Sequence, residues 1–121
     1  MRKSYYLTYG SLSINKEALK DLLHSKYHFS FAQGDSSYYG DYFFYGRSSY
    51  SYGDCIRIVD NYIEEIDHYF HEENKAYKTI ILCQFVEGKN KDKLSQYAFI
   101  KEAFKHISQL DLLSDECLEE A

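Results

Sequence analysis

The segment Tyr77–Val86, YKTIILCQFV, constrains the fold more than any other stretch of the chain. β-Branched and aromatic residues dominate it and apolar residues run almost without interruption, which predicts a central strand buried on both sides. Gly88 stops it. Ser4–Tyr9 alternates, with Tyr5, Leu7 and Tyr9 on one face and Ser4, Tyr6 and Thr8 on the other, the period of a half-buried strand. Tyr27–Gln33 alternates in the same way, Tyr27, Phe29 and Phe31 against His28, Ser30 and Ala32. A turn at Gly34–Ser37 then leads into a third strand over Tyr38–Tyr45, so these two segments are expected to pair as an antiparallel hairpin.

Three helices are expected between and after the strands. The first, at about 15–25, is capped by Ser13 or Asn15 and carries the stripe Leu19, Leu22 and Leu23. The second starts from Asp54 as its cap and runs to about His71, because Ile56, Val59, Ile63, Ile66 and Phe70 recur at spacings of three and four. The third, at about 91–110, aligns Leu94, Tyr97, Ile100, Phe104 and Ile107. Residues 111–121 read as a frayed acidic tail beyond a single α+β domain at 1–110. The element order is β-α-β-β-α-β-α. Its first six elements match the split arrangement of ferredoxin-like domains, an antiparallel or mixed four-stranded sheet with helices on one face.

The chain has 121 residues, enough for one domain, and its 45% hydrophobic and 27% charged content is that of a globular protein. No run of about 18 apolar residues spans a bilayer, and the basic start MRK lacks the apolar core of a secretory signal. Cys55, Cys83 and Cys117 are widely spaced and form no CxxC pair, so a reduced, cytoplasmic setting is expected. The net charge of −5 is unevenly spread, with seven acids against two bases at 54–76 and five acids alone at 111–121. Such blocks repel nucleic-acid phosphate and attract a basic partner.

Fourteen tyrosines accompany no tryptophan and no proline, and they cluster. Between Tyr38 and Tyr52, eight Tyr and Phe residues are interleaved with Gly, Ser, Asp and Arg. This mixture gives rigid contact area beside adaptable hydrogen bonding, as in evolved recognition surfaces. The expected partner-binding residues are therefore Tyr38, Tyr39, Tyr42, Tyr45, Arg47, Tyr50 and Tyr52. They are joined by Asp60, Glu64, Glu65, Asp67 and Glu72 from the acidic face of the second helix, which would speed association with a basic surface.

Catalytic patterns are weak. Cys55 follows Asp54 at an expected helix start, but the acid opposes a thiolate and no histidine is tied to it. Glu64, His68, His71 and Glu72 would lie on adjacent helical turns without forming HExxH, and His24 with His28 lacks a group to stabilise developing charge. The expectation is a non-enzyme without metal or cofactor that binds and blocks another protein. By analogy of class, it looks like bacterial immunity proteins that neutralise a cognate toxin, the partner being a basic nuclease. A phage-type inhibitor of a host nuclease rests on the same physics. An RNA-binding domain that stacks bases on an aromatic sheet face and a homodimeric structural domain are the other readings.

Overall fold

The computed structural model describes residues 2–36, 39–46, 55–86 and 93–120. These form a small α+β domain built on a six-stranded antiparallel sheet. In chain order its strands are β1 (Arg2–Ser11), β2 (Ala32–Ser36), β3 (Gly40–Gly46), β4 (Cys55–Asp60), β7 (Thr79–Val86) and β8 (Asp111–Glu120). Across the sheet they stand as β2-β3-β4-β7-β1-β8, every pair antiparallel. Helices α1 (Lys16–Tyr27) and α2 (Leu94–Lys105) cover one face. The connection from β4 to β7 carries a small hairpin, β5 (Tyr62–Ile63) with β6 (His68–Tyr69).

The sheet is buried on both sides around β7, as its composition requires. Ile81, Cys83 and Phe85 face the helices, where they meet Tyr5, Leu7 and Tyr9 of β1, Phe43, Ile56 and Ile58, and Leu19, Leu23, Ile100 and Phe104 of the two helices. Burial, reinforced by the neighbouring Cys83, pushes the Tyr9 phenol well above its ordinary ionisation range. On the opposite face Tyr42, Val59 and Ile80 form a second core. Phe70 and Tyr77 from the β4–β7 connection and Leu113 of β8 close over it.

The four-stranded ferredoxin order is not adopted, and two segments account for the difference. Residues 55–71 make no α-helix. Their apolar residues do recur at helical spacing, but Ile58 lies off that stripe, and it is fully buried on the helix-covered face of β4 beside Ile56. Arg57 and Val59 alternate to the other face, so the β-branched run satisfies both cores at once, which a one-sided helix would not. Ile66, on the expected stripe, is exposed.

Residues 111–120 are the other difference: they form an edge strand along β1 rather than a frayed tail. A bulge in this pairing sends Leu113 into the second core while Asp111, Glu116 and Glu119 stay exposed at the edge.

The first hairpin is shifted as well. Asn15 caps α1 by accepting from the Ala18 N–H at 2.8 Å, and the helix runs on to Tyr27, where His28 takes a left-handed φ of 60° and donates its N–H to the His24 carbonyl. Tyr27, Phe29 and Phe31 thus form no strand. They pin a loop against the helix-side core, and the Tyr27 hydroxyl donates to the Ala103 carbonyl at 3.0 Å. Pairing with β3 begins only at Ala32, so Gly34 and Asp35 lie in a strand and not in a turn.

Strand β8 is also tied to α2. Asp115 accepts from Lys101 at 2.6 Å and from the Tyr97 hydroxyl at 2.6 Å. Partial burial opposes its ionisation, but those two hydrogen bonds outweigh it and hold the carboxyl below its ordinary value, while Asp115 and Tyr97 raise Lys101. A depressed carboxyl adds stability that is complete above its unfolded pKa and lost as pH falls through the folded one. Asp115→Asn is therefore expected to flatten the acid side of the stability profile below about pH 4. Thermal midpoints measured from pH 2 to 7 check this, and an unchanged acid limb would contradict it.

Candidate functional site

The excursion between β4 and β7, residues 61–78, stands at one end of the sheet, and Asn61 organises it. The Asn61 side chain is fully buried, its Nδ2 donating to the carbonyls of Asn74 (2.8 Å) and Tyr77 (2.9 Å) and its Oδ1 accepting from the His71 N–H (2.8 Å). Its backbone carbonyl accepts from the Phe70 N–H and its own N–H donates to the Lys78 carbonyl. One residue thus fixes where the chain leaves the sheet and where it returns.

On this root the β5–β6 hairpin presents apolar surface among acids. Tyr62 and Tyr69 face each other across the two strands with ring centroids 5.2 Å apart, and the Lys75 ammonium lies 5.6 Å from the Tyr69 ring. Tyr62 remains 45% exposed and Ile66, at the hairpin tip, 53%. Asp67 turns the chain with a left-handed φ of 48° and accepts a short hydrogen bond from the Tyr62 hydroxyl, which holds that phenol above its ordinary range. A cleft of about 310 Å³ at the hairpin's base is lined by Asp60, Tyr62, Tyr69, Lys75, Tyr77 and Lys78. Around it Glu64, Asp67, Glu72 and Glu73 are all exposed.

Of the acids expected at a partner surface, Glu64, Asp67 and Glu72 therefore come together on this excursion, although on a hairpin and two 3-10 turns rather than on a helix. Glu72 faces Lys75 at 3.6 Å. The Glu65 side chain lies outside the described residues. Asp60 differs from the rest: it is half-buried and held by the Lys16 ammonium at 2.7 Å, so its charge is spent inside the fold. His68 is exposed and His71 contacts Asn74 and Glu73, and no group of three potential metal ligands forms among the described residues.

Among the described residues, the expected aromatics Tyr39, Tyr42 and Tyr45 do not share one face. Tyr38, Arg47, Tyr50 and Tyr52 lie outside the described residues. Tyr39 is half-buried on the second-core face, edge-on to Tyr42 at 5.3 Å and to Phe70 at 5.2 Å. Tyr42 is only 6% exposed and belongs to that core. Strand alternation sends Tyr45 to the opposite face, where it is 37% exposed and stacked on Phe29 at 4.6 Å. There it edges an apolar groove of about 290 Å³ between β3 and α2, floored by Ile56, Phe85 and Ile100.

Phe99, 58% exposed, stands opposite Tyr45 on this groove. The sequence carried a signal for it, an aromatic residue off the apolar stripe of α2. Tyr62 and Ile66 left none, since a helix over 54–71 hides the hairpin that exposes them. The groove opens at the Ile56 end of β4 and the acidic excursion leaves from its Asp60 end, about 13 Å along the strand. The two are separate surfaces. No protein-family model, curated protein or solved structure matches the chain.

Proposed function

We propose that this chain binds another protein through the 61–78 excursion and neutralises it, in the manner of an immunity protein facing a basic toxin. What supports the reading is the exposure of Tyr62 and Ile66 within a ring of unburied carboxylates. The two apolar side chains are of the kind that anchor an interface once desolvated, and the acids around them attract a basic surface before contact. The cleft beneath, lined by three tyrosines, two lysines and Asp60, suits an entering side chain.

The test uses the basic protein captured from the native host or encoded beside this chain. Tyr62→Ala with Ile66→Ala is expected to speed dissociation roughly 30-fold or more, with little change in association. Glu64→Lys with Glu72→Lys is expected to slow association roughly tenfold at low salt, an effect that fades as ionic strength rises. Unaltered rate constants in both pairs would rule the site out.

Base stacking on the sheet is disfavoured because Tyr42, Val59 and Ile80 are buried on the face it would need, with Tyr39, Phe70 and Tyr77 packed against them. Self-association is favoured by one observation, the exposed Phe99 beside its groove. Phe99→Asp would convert a dimer to monomer in sedimentation if copies pair there.

A further inference from the structure

Arg57 is the one cation in strands β2, β3, β4 and β7, and it sits in the middle of the sheet on the second-core face. It is only 6% exposed. Its Nε is sealed from solvent with no hydrogen-bond partner, and no carboxylate pairs with the guanidinium among the described residues. Its neighbours across the ladder are Phe44 on β3 and Leu82 on β7, both apolar. The nearest compensation is the Tyr39 ring, whose centroid lies 5.9 Å from the guanidinium carbon. A buried charge is normally paired, because the face of an aromatic ring replaces only a fraction of the hydration it has lost. Nε is the one nitrogen of the guanidinium both sealed and without a partner, so a ligand would approach from the side of the terminal nitrogens.

We propose that Arg57 is the anchor of an anion site, independent of the acidic excursion, and that its ligand is a carboxylate. A single cation held between Tyr39, Phe44 and Leu82 is neutralised by a single negative charge. A phosphate or sulfate dianion would leave one charge uncompensated in the same apolar surroundings. A carboxylate also offers two coplanar oxygens to the guanidinium fork, which chloride cannot. With no carboxylate beside it among the described residues, the buried charge costs the free protein stability, and that cost is recovered on binding.

The experiment follows the thermal midpoint of the full chain at pH 7 in sodium acetate against sodium chloride at matched ionic strength. It is repeated for Arg57→Met, which keeps the length and apolar stem, and for Arg57→Lys, which keeps the charge without the fork. Acetate at ten times its half-saturating concentration is expected to raise the wild-type midpoint by roughly 4–8 °C over chloride. Arg57→Met is expected to show no acetate response while being at least as stable as wild type in chloride. Arg57→Lys is expected to need roughly tenfold more acetate.

A blocked tripeptide with a central Glu, compared with its Gln counterpart, identifies the source. A response to the peptide beyond that to acetate places the carboxylate on a protein, and a response to acetate alone places it on a small free acid. Either result supports the site. Equal acetate responses in wild type and Arg57→Met, no response to either probe, an Arg57-dependent preference for sulfate, or a lower midpoint for Arg57→Met in chloride would overturn it.

Discussion

Asn61→Ala is expected to lower the unfolding free energy by about 3–4 kcal/mol, since a buried hydrogen-bonding group left without a partner costs about 1–3 kcal/mol. Two such groups are orphaned together and a third loses one of its two donors. The Tyr77 carbonyl loses its donor and the His71 N–H its acceptor, while the Asn74 carbonyl keeps only the Tyr77 N–H, all around a side chain with no solvent exposure. A water entering the space left by alanine would have to serve these groups from one position, and its immobilisation offsets part of what it restores. The loss would remove a large share of the roughly 5–15 kcal/mol that holds a domain of this kind together. Asn61→Asp is expected to be at least as damaging at neutral pH, because a carboxylate would then face two carbonyl oxygens. Urea unfolding gives the magnitude, and hydrogen exchange at His71 gives the location. A loss under about 1 kcal/mol, or unchanged protection at His71, would show that the excursion does not hang on this residue.

Around Asn61 the sequence pattern is ambiguous, and the expected helix over 54–71 does not form. Both a helix and a strand explain Ile56, Val59 and Ile63, since an apolar residue every three or four positions also occurs where a strand buried on two faces runs into a folded loop. Ile58 and Asn61 decide between them. In a helix Ile58 would face away from the stripe, and a buried Asn at 61 would have no backbone groups to serve, because helical N–H and C=O groups are already paired. Burial of a lone Asn cannot be read from its neighbours in sequence, because His71, Asn74 and Tyr77, which it serves, are brought to it by tertiary structure.

Where a segment's burial matches its own local pattern, its structure is legible in the sequence. β1 and β7 lie where alternation and continuous apolarity placed them, and α1 begins beside the Asn15 cap. The edge strand β8 was illegible for another reason. Its outward acids gave it the composition of a tail, yet carboxylates on an edge strand remain hydrated and discourage pairing with another chain. The candidate site divided along the same line. Glu64, Asp67 and Glu72 were visible as a charge block whatever their backbone. The tyrosines that accompany them, Tyr62 and Tyr69, were hidden by the more conspicuous cluster at 38–52.

Tyr42→Ala and Tyr45→Ala, three residues apart on one strand, are expected to separate a core ring from a surface ring. Removing a large buried side chain costs about 3–5 kcal/mol, and Tyr42→Ala should fall in that range. The ring is enclosed by Val59 and Ile80, and it lies across β2 so closely that a Cβ at Gly34 would come within 2.7 Å of its Cζ atom. Tyr45→Ala removes a stacked ring that is already open to solvent, which should cost about 1 kcal/mol. Gly34 supplies the internal check. Gly34→Ala should destabilise the wild-type protein through collision with the Tyr42 ring, yet be neutral or mildly stabilising once Tyr42→Ala has removed that ring, since alanine restricts the unfolded chain more than glycine. Urea unfolding of the two single variants and the double variant closes the cycle, with an expected coupling of about 1–3 kcal/mol between the two positions. Additive losses would mean that the ring does not lie across β2, and a loss for Tyr42→Ala no greater than that for Tyr45→Ala would place both tyrosines at the surface.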